Sequence, residues 1–236
     1  RRLPPTAQAP AMPFRISRPI LAGARPLDRH VACVGAAICI ALTMFVCAQL
    51  PLSAADLPLI VAPLGASAVL IFAVPASPLA HPGRVAGATT ISALVGAAMF
   101  QHVADPMIAA GLSVGLAILL MSLCRCLHPP GGAAALTAVI GSQGIHSAGY
   151  AFAFAPVALN SIALVSLAMF FHRMSGHSYP HVPVPDAASA QAAGLHLEDI
   201  DHALAELHES FDISREDLDI LLSKAEAHAV ARRRKR

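Results

Sequence analysis

The residues of this chain whose types and spacing could do chemistry are two short proline-glycine runs set in apolar sequence. They are Ala62-Pro63-Leu64-Gly65-Ala66-Ser67 and His128-Pro129-Pro130-Gly131-Gly132-Ala133. A helix that begins inside a membrane protein presents unpaired N–H groups and the positive end of its dipole, which together bind an anion without a buried Lys or Arg. Glycine lets the anion approach the backbone, and proline in the first turn sacrifices no hydrogen bond. Pro63, Gly65, Ala66 and Ser67 from one run, with Pro129, Pro130, Gly131, Gly132 and Ala133 from the other, are therefore the candidate lining of a small-anion path. Ser67 would add a hydroxyl donor, and His128 a ring that can exchange protons near neutral pH and couple anion movement to a proton. The same residue types also suit close helix packing, because small residues let backbones approach. A histidine beside Arg125 could equally sit at an interface, facing headgroups or water. The sequence leaves these readings open.

Other candidates are weaker. Asn160 and Ser161 are polar within an apolar run and favour a hydrogen bond to another helix over a place in the path. Arg84 and Arg125 either snorkel to an interface or attract anions to an entrance. His172, His177 and His181 straddle a helix end and a proline-rich stretch, a poor frame for a metal. Cys124-Arg125-Cys126 lacks the spacing of a zinc or thioredoxin-type motif. No Walker A motif, dinucleotide loop or intramembrane carboxylate pair is present, so neither an enzyme nor a cofactor is expected.

The elements that must position these residues follow from hydropathy. Hydrophobic residues make up 56% of the 236-residue chain and charged residues 13%, about half the usual charged share, and mean hydropathy is +0.63. Between His30 and Met174 the charges are Asp56, Arg84, Asp105, Arg125 and Arg173 alone. The N-terminal arginines are spaced by Pro and Ala without aromatics, which suits a membrane surface and excludes a nucleic-acid partner. All five cysteines fall in apolar segments, where they act as packing groups, so no disulfide framework is expected.

A bilayer core of roughly 30 Å takes about 20 apolar residues per helix. Six segments approach that length, 30–50, 57–75, 84–103, 107–126, 129–146 and 150–172. The second and fifth are interrupted by the proline-glycine runs, and if both were re-entrant only four helices would cross. Six crossings place the N-terminal arginines, Arg84, Arg125 and Arg173 on one side and Asp56 and Asp105 on the other, so the positive-inside rule favours six, with both termini cytoplasmic. A gapless echo between 62–70 and 128–136, in the middle helix of each three-helix set, points to inverted repeats with interrupted helices. The expected fold is all-α: a polytopic transmembrane bundle over 30–174 behind a basic segment, 1–29. A linker follows over 175–194, then an amphipathic tail over 195–236 with helices near 196–210 and 215–232, the second opened by a capping box at Ser214 to Asp217. Such a pair of helices buries little surface alone and is expected to pack on a partner or a further domain.

At Leu127-His128-Pro129-Pro130-Gly131-Gly132-Ala133 the sequence resembles the HPP family of integral membrane proteins, named for its His-Pro-Pro motif. Ala62 to Ala68, followed by Pro75 to Pro82, is similar to that family's other characteristic region, and the resemblance covers about residues 28 to 180. Asp212-Ile213-Ser214-Arg215-Glu216-Asp217-Leu218 is similar to a segment that in longer members precedes cytoplasmic CBS domains, which implies a short or truncated chain. The family is described with four spans, against the six read above. Its plastid and cyanobacterial members are linked to nitrite transport, so the resemblance implies a small inorganic anion as substrate; with no ATP-binding motif, transport is expected to be passive or proton-linked, in a cell (inner) membrane. The alternative is a membrane sensor or scaffold whose tail serves a cytoplasmic partner. Homo-oligomerisation is left open.

Overall fold

The computed structural model describes residues 26–49, 58, 60–183, 196–207 and 212–234. The basic segment before residue 26, Asp56 and most of the expected linker lie outside these. The described chain is mainly helical, with no strand among the described residues. Helix α1 spans Pro26–Ala48, α2 Pro63–Ala73, α3 Pro82–His102, α4 Pro106–Leu123, α5 Pro130–Ile140, α6 Gln143–Ala148 and α7 Leu159–Met174. A 3₁₀ turn, Pro78–Ala80, precedes α3, and a π turn, Ala153–Ala158, leads into α7. The tail carries α8, Leu197–Leu207, and α9, Arg215–Arg234.

Proline opens most of the core helices, where its fixed φ suits the first turn and its missing N–H costs nothing. Side chains complete the starts: Asp105 accepts from the amides of Met107 and Ile108 at 2.9 and 3.0 Å, and Ser214 accepts from the amide of Asp217 at 3.1 Å, as the expected capping box requires.

Among the described residues four helices are long and apolar enough to cross a membrane: α1, α3, α4 and the continuous helix from Ala153 to Met174. α2 and α5 have 11 residues each, about 16 Å of rise and roughly half a bilayer core. Tertiary contacts show what these short helices do. Gly35 and Cys47 of α1 meet Phe171 and Asn160 of α7, so the two run antiparallel. Val61 bonds to Asn160 and the Ile71 carbonyl to His172, so α2 runs parallel to α7, and Phe72 near its end lies beside Gly35 of α1. Gly131 lies beside Ser92 of α3, Ala135 and Ala138 beside Gly96, and His146 stacks on Phe100, so α5 and α6 run parallel to α3. Among the described residues α5 and α6 together follow α3 to its far end, whereas the end of α1 and the start of α2 both meet α7 at Asn160. The described residues thus hold four helices of spanning length and two half-length ones, as the two interrupted segments suggested.

This pattern brings Arg29, Arg84, Arg125 and Arg173 to one end, where α1 and α3 begin and α4 and α7 stop, and Asp105 to the other. The packing also repeats. α1 packs on α2 and α7 as α4 packs on α5 and α3, α2 packs on α7 as α5 does on α3, and α2 meets α5 while α3 meets α7. Exchanging the first three helices for the last three leaves these pairings unchanged, which is the signature of an inverted repeat. Two apolar clusters hold the halves. Leu64, Ile71, Phe72 and Leu164 are at the heart of one, and Ala88, Ala117, Met121 and Ala135 of the other.

Candidate functional site

Both half-helices begin inside the bundle at nearly one depth. Asn160 Oδ1 accepts from the Val61 amide at 2.9 Å just before α2, while its neighbour Ser161 bonds to Thr89 of α3 at 2.9 Å. α5 begins beside Ser92, at the midpoint of α3. Thr89 and Ser92 are three residues apart, about 5 Å of rise. The two N-terminal ends therefore lie about one turn apart at mid-thickness, with the helices running in opposite directions.

His128 is delivered to this place by the way α4 ends. The Arg125 amide donates to Ser122 at 3.1 Å and the Cys126 amide to Met121 at 2.9 Å, with Arg125 at φ 53°. This is a Schellman stop with arginine where glycine is usual. It turns the chain inward, so His128 is 0% exposed and faces neither lipid nor water. Its Nδ1 lies 2.8 Å from the Leu79 carbonyl and its Nε2 2.8 Å from Ser67 Oγ. A carbonyl only accepts, so Nδ1 carries a hydrogen. In the neutral ring Nε2 then accepts from the Ser67 hydroxyl. His128 thus joins α2, the 3₁₀ turn and the start of α5.

The ten residues expected to line a path divide by burial. Ser67, His128, Pro63, Pro130 and Gly131 are buried, Gly132 is half-buried, and Gly65, Ala66, Pro129 and Ala133 are exposed. The expected free amides are partly used: Gly65 donates to Ala62 at 3.0 Å, Gly131 to His128 at 2.8 Å and Gly132 to Pro129 at 3.1 Å. What remains for an anion is the dipole of each helix end and the hydroxyls around it. Gly131 serves close packing, since a Cβ there would lie 2.7 Å from Met121 Sδ and 2.8 Å from Ser92 Oγ. Gly65 differs, with nothing within 4 Å of an added Cβ. The Ser92 hydroxyl is buried without a hydrogen-bond partner among the described residues.

Asn160 and Ser161 act between helices, as their polarity suggested, and Asn160 Nδ2 also reaches Cys47 Sγ at 3.1 Å. Of the three histidines near the end of α7, His172 bonds to Ile71 and has the His177 ring 6.2 Å away, while His181 bonds to Asp217. No group of three or more potential ligands gathers for a metal among the described residues. Sequence reasoning missed the Leu79 carbonyl. A backbone oxygen carries no residue-type signal, and only the proline-bounded stretch Pro75 to Pro82 marked the neighbourhood.

Residues 22–180 match the family described as HPP, transmembrane region. One Dictyostelium discoideum transmembrane protein is 35% identical over 131 residues, 53% of this chain and 46% of its own length. A second from the same organism is 37% identical over 114 residues, 47% of this chain and 36% of its own length. The chain therefore spans less than half the length of these curated relatives. No solved structure matches.

Proposed function

The chain belongs to the HPP transmembrane family, and from that premise we propose that this multi-pass membrane protein is a passage for a small inorganic anion, nitrite being the first candidate. The observation that carries the reading is the pair of half-helices whose N-terminal ends meet at mid-thickness. Two dipole ends favour negative charge there without a buried cation that would hold it too tightly. The unpaired Ser92 hydroxyl adds a donor beside α5. Ser67 and His128 link the two halves, so a change in either helix start is felt by the other. Transport would be passive or proton-linked. Arginines at the end shared by Pro26 and Met174 favour that end as cytoplasmic.

The test is nitrite uptake into liposomes at two pH values, comparing the wild-type chain, Gly65→Leu and empty vesicles. Gly65 is the position of choice because a side chain there meets nothing, so the fold survives while the helix start is covered. Uptake that the variant abolishes supports the passage. Equal uptake by the variant moves the path elsewhere, and no uptake above empty vesicles by folded protein rejects nitrite.

A further inference from the structure

The start of α9 meets the core at the turn that holds His128. Ser77, 4% exposed, donates from Oγ to Asp212 Oδ1 at 2.7 Å. Beside it, His181 Nε2 and Asp217 Oδ1 are 2.8 Å apart. Between tail and core lies a cleft of about 260 Å³, lined by Ser77, His81, His181, Ser214 and Glu216 among others. Ser77 also caps the Pro78–Ala80 turn, accepting from the Leu79 amide at 3.1 Å. Each carbonyl of that turn is then held by a side chain from outside it. Arg84 donates to Pro78 at 2.6 Å, His128 to Leu79 at 2.8 Å and Tyr179 to Ala80 at 2.7 Å.

We propose that Asp212 is a positioning residue for His128, acting from the tail through Ser77. A hydroxyl that donates to a carboxylate has its hydrogen, and hence its lone pairs, fixed in direction. With Asp212 in place, a lone pair of Ser77 is held toward the Leu79 amide, the turn is tight, and the Leu79 carbonyl stays aimed at Nδ1 of His128. Without Asp212, Ser77 turns freely and the carbonyl loses its fixed place, so the imidazole can swing from Ser67. Docking of the tail thereby sets how firmly the two half-helices are joined. For its effect on flux the inference rests on the anion passage; for its geometry it does not.

The test uses the full chain in detergent and the rate at which diethyl pyrocarbonate acylates each histidine, read by mass spectrometry. Asp212→Ala is expected to raise the rate at His128 about tenfold, as loss of one part-buried hydrogen bond to a charged group would. His146, which stacks on Phe100 at the opposite end of the bundle, is the internal reference and keeps its rate. Asp212→Asn retains an acceptor oxygen and should stay near wild type. An unchanged His128 rate in Asp212→Ala, or an equal rise at His146, overturns the proposal. A selective rise at His128 sustains the proposal even if liposomes take up no nitrite, in which case only the passage reading falls.

Discussion

Helix α5 can lie where it does only because α3 carries glycine at position 96. A Cβ on Gly96 would run into the Ala135 carbonyl oxygen and stand 2.8 Å from Ala138 Cβ. Carbon atoms prefer about 3.5–4.0 Å, so α5 would have to retreat by about 1 Å, and the obstacle is backbone that no rotamer change removes. Overpacking usually costs about 1–3 kcal/mol, and an immovable neighbour puts Gly96→Ala at the upper end, near 3 kcal/mol. At about 2–4 °C per kcal/mol, the melting temperature should fall by about 6–12 °C. Gly131→Ala should cost less, about 1–2 kcal/mol, because its nearest neighbour is the flexible Met121 side chain. Gly111→Ala on the open face of α4, with nothing within 4 Å, should be neutral or stabilise by up to about 1 kcal/mol. Thermal unfolding of the three variants in one detergent checks the order. A Gly96→Ala protein melting with wild type, or below neither of the other two, would refute the close approach of α3 and α5.

Two further outcomes follow from the joint between halves and tail. Ser67→Ala and His128→Ala should couple by about 1 kcal/mol in a double-mutant cycle on stability, while His128→Ala alone costs about 2–4 kcal/mol because the Leu79 carbonyl loses its buried partner; strict additivity would show that the 2.8 Å contact contributes nothing. Burial pushes the Asp217 carboxyl upward, but hydrogen bonds from His181 and Ser214 prevail and hold it below its ordinary value of 3.8. A depressed carboxylate binds fewer protons in the docked state, so its contribution to docking is complete above that value and is lost as pH falls through the docked one. Hydrogen exchange over 212–222 should quicken there in wild type, and Asp217→Asn should abolish the step; a step that persists in the variant assigns it to another group.

Much of the molecule was legible in the sequence because its signals are local. Hydropathy identified the apolar segments, and prolines 63 and 130 marked helix starts since proline acts on its own turn. The Gly-Pro interruptions foretold that the second and fifth segments would be broken. The 62–70 and 128–136 echo foretold paired halves, which the exchange symmetry of the packing now supports. Ser214 was likewise legible as a cap. The direction of the short helices was less accessible. Charge counting favoured six passes, but the direction of an 11-residue helix is recognised only from what its two ends touch.

The candidate site divides along the same line. Ser67 and His128 were singled out by residue type, yet they are 61 positions apart, and the Leu79 carbonyl is 49 from His128. Whether such groups meet depends on the depth and rotation of separate helices, which leave no periodic trace in either segment. Tertiary structure alone decided that Gly131 is packed while Gly65 is open, though both follow a proline. It also decided that the tail reaches the core through Asp212. The sequence by itself determined a helical membrane protein with two broken helices, because burial preference and helix starts are properties of neighbouring residues. Which polar groups became partners was settled only when the packed helices fixed those residues at a common depth.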